Sequence, residues 1–314
     1  MTKVFITDYI ESNLIEKEIL NDYLGSNISI NTEVVLVWHE KINSEFLDSV
    51  PNLKAVIRYG VGYDNVDLEE AKRRNIIVAN TPDYGTEEVS DSALAMILNI
   101  ARGVTRYDYQ CRKYKNNWQE NTISNTKRTS SIKLGVIGAG RIGGSVIIKA
   151  NAIGFQTSFY DPYRDRGYEK MLSSKRFDSL DDLLADSDII SFHAPLSKET
   201  EAMVNAQFIS KMKQGSSFVN TARGKVIESL DVFLDPLKSN KLNCVALDVL
   251  PEEPPVKGQL LKEWREKAEW LDGRLIINPH SAYFSSQSFK EMRQKAAKNA
   301  LRVLNNQEPF NKII

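Results

Sequence analysis

Gly138-Ala139-Gly140-Arg141-Ile142-Gly143 follows directly on the apolar run Lys133-Leu134-Gly135-Val136-Ile137, and twenty-three residues beyond Gly138 a second β-rich run, Phe155 to Tyr160, ends in Asp161. A strand, a tight glycine turn, a helix and a second strand tipped with an acid are the parts a dinucleotide needs, in that order. The first glycine makes the turn, the second lets the backbone approach a pyrophosphate, and the third lets the helix pack close to the strand with its N-terminus toward the phosphates. An ordinary strand-to-helix turn would also explain the glycines, but it gives no reason for Asp161. That carboxylate would accept from the adenosine ribose hydroxyls and repel a 2′-phosphate, which predicts NAD rather than NADP. Gly138, Gly140, Arg141, Ile142, Gly143 and Asp161 are therefore read as cofactor-binding.

Residues 1–132 precede this fingerprint, so a nucleotide fold does not open the chain, and 314 residues are enough for two domains. Val4–Thr7, Val34–Trp38, Leu53–Arg58 and Ile76–Ala79 read as short buried strands. Asn13–Leu24, with Ser12 as its N-cap, and Leu68–Arg74 read as amphipathic helices between them. Thr86 to Arg102 is a long, mostly apolar helix with Glu87 and Glu88 favourable in its first turn. Beyond the fingerprint, strands recur at Asp188–Phe192, Ser217–Asn220, Cys244–Asp248 and Leu275–Asn278, and Ser285 to Leu304 reads as a final helix. Alternating strands and helices imply parallel sheets covered on both faces. The expected fold is α/β: two doubly wound parallel-sheet domains, Rossmann-like or flavodoxin-like, with a cleft between them.

Composition narrows the partners. Lysine plus arginine equals aspartate plus glutamate, 41 each, so there is no net field to attract nucleic acid or an acidic membrane. The longest apolar stretch, Ala93–Ala101, is too short to span a bilayer, and Asp8 interrupts the N-terminus before a signal sequence develops. Cys111 and Cys244 lack CxxC spacing, which points to reduced thiols in a cytoplasmic protein with no disulfide and no metal site.

A hydride-transferring NAD enzyme needs a group for the hydroxyl proton and a cation for an anionic substrate. The chain has three histidines, His39, His193 and His280, each at the end of a strand signal. Taken singly, each also fits a structural or surface role. Arg223, in Asn220-Thr221-Ala222-Arg223-Gly224, stands at a strand end where its fork suits a carboxylate, or equally a salt bridge. Glu253 lies in the proline-rich stretch Asp248-Val249-Leu250-Pro251-Glu252-Glu253-Pro254-Pro255.

Together these motifs carry a resemblance. Gly60-Val61-Gly62-Tyr63-Asp64-Asn65-Val66-Asp67, the fingerprint, His193-Ala194-Pro195-Leu196 with Thr200, Asn220 to Gly224, Asp248 to Pro254 and Asn278-Pro279-His280 stand in the order found in the D-isomer-specific 2-hydroxyacid dehydrogenase family. The resemblance covers nearly the whole chain. It implies NADH-dependent interconversion of a small 2-oxo acid and a D-2-hydroxy acid by an Arg223–Glu253–His280 triad. Arg223 would bind the carboxylate and polarise the carbonyl, His280 would be the general acid and base, and Glu253 would fix its tautomer. It adds His193, Ala194, Pro195, Thr200, Thr221, Ala222 and Asp248 on the cofactor side, with Asp248 at the nicotinamide. On the substrate side it adds Arg58, Val61, Gly62, His39 and Tyr283. The substrate domain would comprise residues 1–102 and 284–314, and the NAD-binding domain 103–283, with hinges near Arg102 and Tyr283.

Within that family Trp38-His39, Arg58 and the stretch from His280 to Gln287 lean toward the branch of the C-terminal-binding protein corepressors, but Tyr283 replaces that branch's usual tryptophan. Two alternatives follow: an NAD(H)-sensing scaffold with little turnover, or a dehydrogenase of a non-carboxylate donor such as phosphite. Arg58 hints at a second anionic group on the substrate, and also fits an ion pair with Asp64 or Glu87. Val256 to Arg274 reads as a short amphipathic helix carrying Trp264 and Trp270, either a solvated helix anchored on the core or a lid or partner surface. Lys113 to Arg128 reads as an exposed arm, which in this family contributes to a homodimer through the NAD-binding domain.

Overall fold

The computed structural model describes residues 2–113, 118–123 and 126–314, so positions 114–117 and 124–125 of the expected arm lie outside the described residues. The chain forms two compact units, Met1–Gly85 with Phe284–Ile314, and Thr86–Tyr283. Each is built on one parallel sheet.

In the first unit β1 (Val4–Ile6), β2 (Val34–Val37), β3 (Ala55–Arg58) and β4 (Ile77–Ala79) lie side by side in that order, all parallel. Val35, Val37, Val56 and Val78 share a core with Leu47 of the helix Ser44–Ser49 and Ala71 of the helix Leu68–Arg73. Asn43 and Asp67 start those helices by accepting from the backbone N–H groups of Phe46 and Glu70. The C-terminal helix, Ser286–Leu304, packs across β2 and β3 and begins with a capping box between Ser285 and Ser288. The first helix is shorter than expected, Leu14–Leu20, with Asn13 rather than Ser12 at its N-cap; Asn21, at φ 47°, turns the chain into a 3-10 turn.

A buried polar cluster holds the end of β3. The Tyr59 hydroxyl and Arg293 Nε both donate to Glu16 Oε1 at 2.8 Å, and all three residues are buried. Burial, with the Glu16 charge beside it, pushes the Tyr59 hydroxyl well above its ordinary pKa. The two helices that carry Glu16 and Arg293 are thereby tied to the residue that leads into the Gly60 loop.

The second unit has seven parallel strands, β5 (Lys133–Ile137), β6 (Gln156–Tyr160), β7 (Lys175–Arg176), β8 (Ile189–Phe192), β9 (Ser216–Asn220), β10 (Leu242–Leu247) and β11 (Leu275–Ile277). Their spatial order is β11-β10-β9-β8-β5-β6-β7. Strand β7, two charged residues at the sheet edge, carries no hydrophobic pattern, and the sequence reading misses it. Alternation along β9 sends Phe218 to one face, with Phe192, Phe233 and Leu247, and Val219 to the other, with Val136, Phe159 and Ala246.

The first boundary falls at Gly85, before the helix Thr86–Arg102, not after it as the sequence reading places it. Ala93, Met96, Ile97 and Ala101 of that helix enter the same core as Val146, Ile147 and Ala150 of the helix Arg141–Ile153. Between Glu253 and His280 the expected amphipathic helix is broken into Gln259–Arg265 and a 3-10 turn, Glu269–Leu271. Leu260, Leu261 and Leu271 are buried in the core there, with Trp264 and Trp270 packed against it.

Candidate active site and dinucleotide cradle

The order of the second sheet reverses between β5 and β8, and in open α/β sheets a ligand lies at that point, outside the carboxyl ends of the strands. The glycine turn follows β5 there. Gly138 takes φ +85°, and a Cβ on it would stand 2.6 Å from the backbone nitrogen of Ala194, just past β8. A Cβ on Gly143 would stand 1.9 Å from the carbonyl oxygen of Gly138, so the helix Arg141–Ile153 reaches the turn only with glycine at that position. At Gly140 the space is open except for Arg164 Nη2, 3.4 Å from where a Cβ would be.

The expected cofactor residues fall into two groups. Thr221 Oγ1 and His193 Nδ1 are buried polar atoms with no hydrogen-bond partner. Orphaned groups beside a glycine cradle fit a polar ligand such as a dinucleotide. Others are engaged within the protein. The Thr200 hydroxyl donates to Pro195 O at 2.6 Å and accepts from Ser197 N at 2.8 Å, so it builds the 195–200 turn. Asp161 is buried; its Oδ2 accepts from Ala139 N at 2.9 Å and its Oδ1 from Tyr163 N at 3.0 Å.

His193 Nε2 lies 2.8 Å from Ser191 Oγ. Although part of the residue reaches solvent, Nδ1 is shut from water, and burial pushes the imidazole down to about 3 from 6.5. The unfolded chain binds this proton below pH 6.5 and the folded chain only near 3, so the contribution is complete above 6.5 and lost as pH falls through that window. On going from pH 7 to 5 the loss is expected to be about 1–2 kcal/mol. Urea unfolding at the two pH values should therefore show a smaller drop for His193→Gln than for wild type; equal drops would contradict the assignment.

Arg223, Glu253 and His280, the residues of the expected triad, follow the ends of β9, β10 and β11. The Asn220 side chain accepts from Ala222 N (2.9 Å) and donates to Arg223 O (2.9 Å), closing the turn that carries Arg223. Gly224 follows because a Cβ there would lie 1.8 Å from the Leu250 carbonyl oxygen: the 248–253 loop rests on its backbone. Glu253 Oε1 accepts from Leu250 N at 2.8 Å, and Oε2 meets His280 Nδ1 at 2.7 Å. Burial raises the Glu253 pKa, but His280, the Leu250 N–H and the Arg223 charge outweigh it and hold the carboxyl below its usual range.

His280 sits at φ +54°, a left-handed conformation uncommon for a side chain of its size. Asp248 holds it there. Its carbonyl accepts from His280 N at 2.8 Å, and its two carboxylate oxygens accept from Ser281 N and Ala282 N, each at 3.0 Å. The resemblance puts Asp248 at the nicotinamide; in the structure both of its oxygens fasten the histidine loop. Burial raises its pKa, against the pull of those two N–H groups. Tyr283 meets the His280 ring edge-on at 6.4 Å.

The other residues expected on the substrate side lie at the carboxyl ends of the first unit's strands. Arg58, the last residue of β3, donates to Asn65 Oδ1 at 3.1 Å; beyond it Gly60 takes φ +115°, and the Gly60 N–H meets Thr81 Oγ1 at 2.6 Å. Val61 O accepts from Asn80 Nδ2 at 2.7 Å, and Gly62 follows on the same loop. After β2, His39 stacks on Trp38 with ring centroids 4.9 Å apart. Asp8, which the sequence reading uses only against a signal peptide, accepts from the backbone N–H groups of Trp38, His39 and Glu40 at 2.7, 2.6 and 3.2 Å. An acid directly after a strand was the available signal. Among the described residues no cluster of three or more metal-binding side chains occurs, and no helix is long and apolar enough to cross a membrane.

The chain is similar to several known proteins. A family model described as "D-isomer specific 2-hydroxyacid dehydrogenase, NAD binding domain" matches residues 94–282. A glyoxylate reductase of Thermococcus kodakarensis is 32% identical over 98% of this chain and 94% of its own, and one of Korarchaeum cryptofilum is 33% identical over 88% and 81%. The crystal structure of D-lactate dehydrogenase from Aquifex aeolicus, complexed with NAD and lactic acid, is 30% identical, covers 97% of this chain and 96% of its own, and superposes with a TM-score of 0.83.

Proposed function

The chain belongs to the D-isomer-specific 2-hydroxyacid dehydrogenase family, and from that premise we propose that it reduces a small 2-oxo acid, of the size of glyoxylate or pyruvate, to the D-2-hydroxy acid, or runs the reverse reaction. NAD is the cofactor, and when bound in its reduced form it supplies the hydride. The residues of this chain supply the rest. Gly138, Gly140, Arg141, Ile142, Gly143 and Asp161 form the cradle, with the His193–Pro195 turn, Thr221 and Ala222 beside it. Arg223 grips the substrate carboxylate and polarises the carbonyl oxygen. His280 delivers a proton to that oxygen from Nε2, because Nδ1 is held by Glu253. Glu253 fixes the imidazole's tautomer, and Asp248 keeps the histidine loop in place. Arg58, Val61, Gly62, His39 and Tyr283 are the residues this proposal gives to substrate choice.

The observation that carries this reading is the 2.7 Å Glu253–His280 contact, beside an arginine whose charge acts on the same carboxylate. Small substrates are favoured by the glyoxylate reductase and D-lactate dehydrogenase relatives, which also favour turnover over a scaffold role. The exposed face of the helix Val104–Arg112, with no buried residue, and the exposed Trp118 support a homodimer through this unit. NADH oxidation followed at 340 nm against glyoxylate, pyruvate, hydroxypyruvate, phenylpyruvate, 2-oxoglutarate and phosphohydroxypyruvate tests the proposal. Rapid turnover of one member establishes it and identifies the side chain accepted. A blank panel with NADH binding intact would replace it with a scaffold, and reduction of NAD by phosphite would replace it with the non-carboxylate donor.

A further inference from the structure

We propose that Glu16, Tyr59 and Arg293 are positioning residues for the substrate: the buried Glu16–Arg293 pair holds the Tyr59 hydroxyl, and through it fixes the backbone N–H groups of Val61 and Gly62 for a substrate carboxylate. The inference rests on the reading of the protein as a 2-oxo acid reductase with Val61 and Gly62 on its substrate side. Those two residues choose for a carboxylate through the backbone. Among the described residues neither N–H has a hydrogen-bond acceptor within the protein. The two are consecutive, they follow the left-handed Gly60, and Val61 is 37% exposed, so an anion can take both donors without displacing a partner.

The loop is anchored twice. From β4, Thr81 Oγ1 meets the Gly60 N–H at 2.6 Å, Thr81 N donates to Gly60 O at 3.0 Å, and Asn80 Nδ2 donates to Val61 O at 2.7 Å. The second anchor is Tyr59. Alternation along β3 sends Val56 into the core with Leu47 and Ala71, and Tyr59 to the opposite face, where the helix Ser286–Leu304 packs. The Tyr59 hydroxyl and Arg293 Nε both donate to Glu16 Oε1 at 2.8 Å, while Arg293 Nη2 donates to Glu16 Oε2 and to the carbonyl of Ser12. The guanidinium also lies over the Phe289 ring, 5.4 Å from its centroid. A buried ion pair is a poor source of stability, because desolvating both ions offsets most of their attraction, but a two-pronged arginine on a carboxylate is geometrically stiff. A tyrosine that ends on it cannot slide or turn without leaving a charged acceptor short of a donor. Phenylalanine would fill the same space and leave the stem of the loop free to shift.

The test uses the full chain with NADH. Protein fluorescence gives the Kd of oxamate, an unreactive analogue with the same carboxylate, and steady-state kinetics give KM and kcat for glyoxylate, pyruvate and hydroxypyruvate. Tyr59→Phe removes one hydroxyl and leaves the ion pair. It is expected to raise the oxamate Kd and all three KM values by a common factor of about 3 to 10, the worth of one hydrogen bond, with kcat and NADH affinity within about twofold of wild type. Glu16→Gln keeps the shape but strips Arg293 of its counter-charge, and should raise the same constants by about 10- to 100-fold. The control is Val303→Ala, a buried position on the same helix about 15 Å from Arg293; it should lower Tm and leave KM and Kd at their wild-type values. Unchanged constants in Tyr59→Phe, or a rise matched by Val303→Ala, would overturn the proposal by making the cluster structural only. A rise that differs more than about threefold between substrates would overturn it too, by making the loop a reader of the side chain. A wild type that reduces no 2-oxo acid and binds no oxamate would overturn the functional reading and this inference with it. That outcome is distinct from a wild type and a Tyr59→Phe variant that bind oxamate equally well.

Discussion

His280→Asn is expected to lower kcat for the accepted 2-oxo acid by about 10²- to 10⁴-fold, the range contributed by a positioned general acid, with KM and NADH affinity changed little. In the proposed mechanism the side chain acts in the transition state, where the carbonyl oxygen takes up charge, and contributes little to holding the ground state. Asparagine keeps a polar group of similar reach and, more readily than most residues, accepts the left-handed φ of +54° at this position. The loop held by Asp248 therefore has no cause to move, and a lost rate reports lost proton transfer. The measurement is steady-state kinetics beside a fluorescence titration with NADH. Full turnover with every accepted substrate would remove His280 from the proton path.

For Arg223 the expected result has a different form. Arg223→Ala should raise KM and lower kcat together, with kcat/KM falling by about 10²- to 10⁴-fold, because truncating one member of a buried charge pair costs 2–5 kcal/mol or more. In the proposed mechanism the guanidinium grips the carboxylate in ground and transition states alike, and it also sets the carbonyl against His280. Arg223→Lys restores the charge without the planar fork and should recover KM better than kcat. Were Arg223→Ala to change only KM, the arginine would be an anchor with no part in polarising the carbonyl. Loss of its charge should also let the Glu253 pKa rise, since that charge helps hold it down.

The fingerprint was legible because each of its parts is local. The turn at Gly138, the helix start at Gly140 and the acid at the end of β6 depend on backbone freedom and on chain spacing within one strand-turn-helix-strand unit. Strands of four or five apolar residues declared themselves for the same reason, and β7, with two charged residues, did not. The proposed triad comes from the resemblance alone. Arg223, Glu253 and His280 are separated by 30 and 27 positions, and no periodicity in the chain joins them. The length of the first helix was misjudged because its apolar residues continue past Leu20 while the backbone at Asn21 does not.

By itself, then, the chain determined what short-range forces govern: an α/β alternation, a glycine cradle for a dinucleotide, and which polar residues end which strands. Only tertiary structure decided how those ends are used. Asp248 grips the backbone of 281 and 282, Gly224 gives its missing side chain to the carbonyl of Leu250, Asp8 caps the turn after β2, and the helix Thr86–Arg102 joins the second unit instead of closing the first. Each of these is a contact between segments that are far apart in sequence, and its energy exists only once the sheets have formed and water has been excluded between them. Local propensity and pattern carry no record of it.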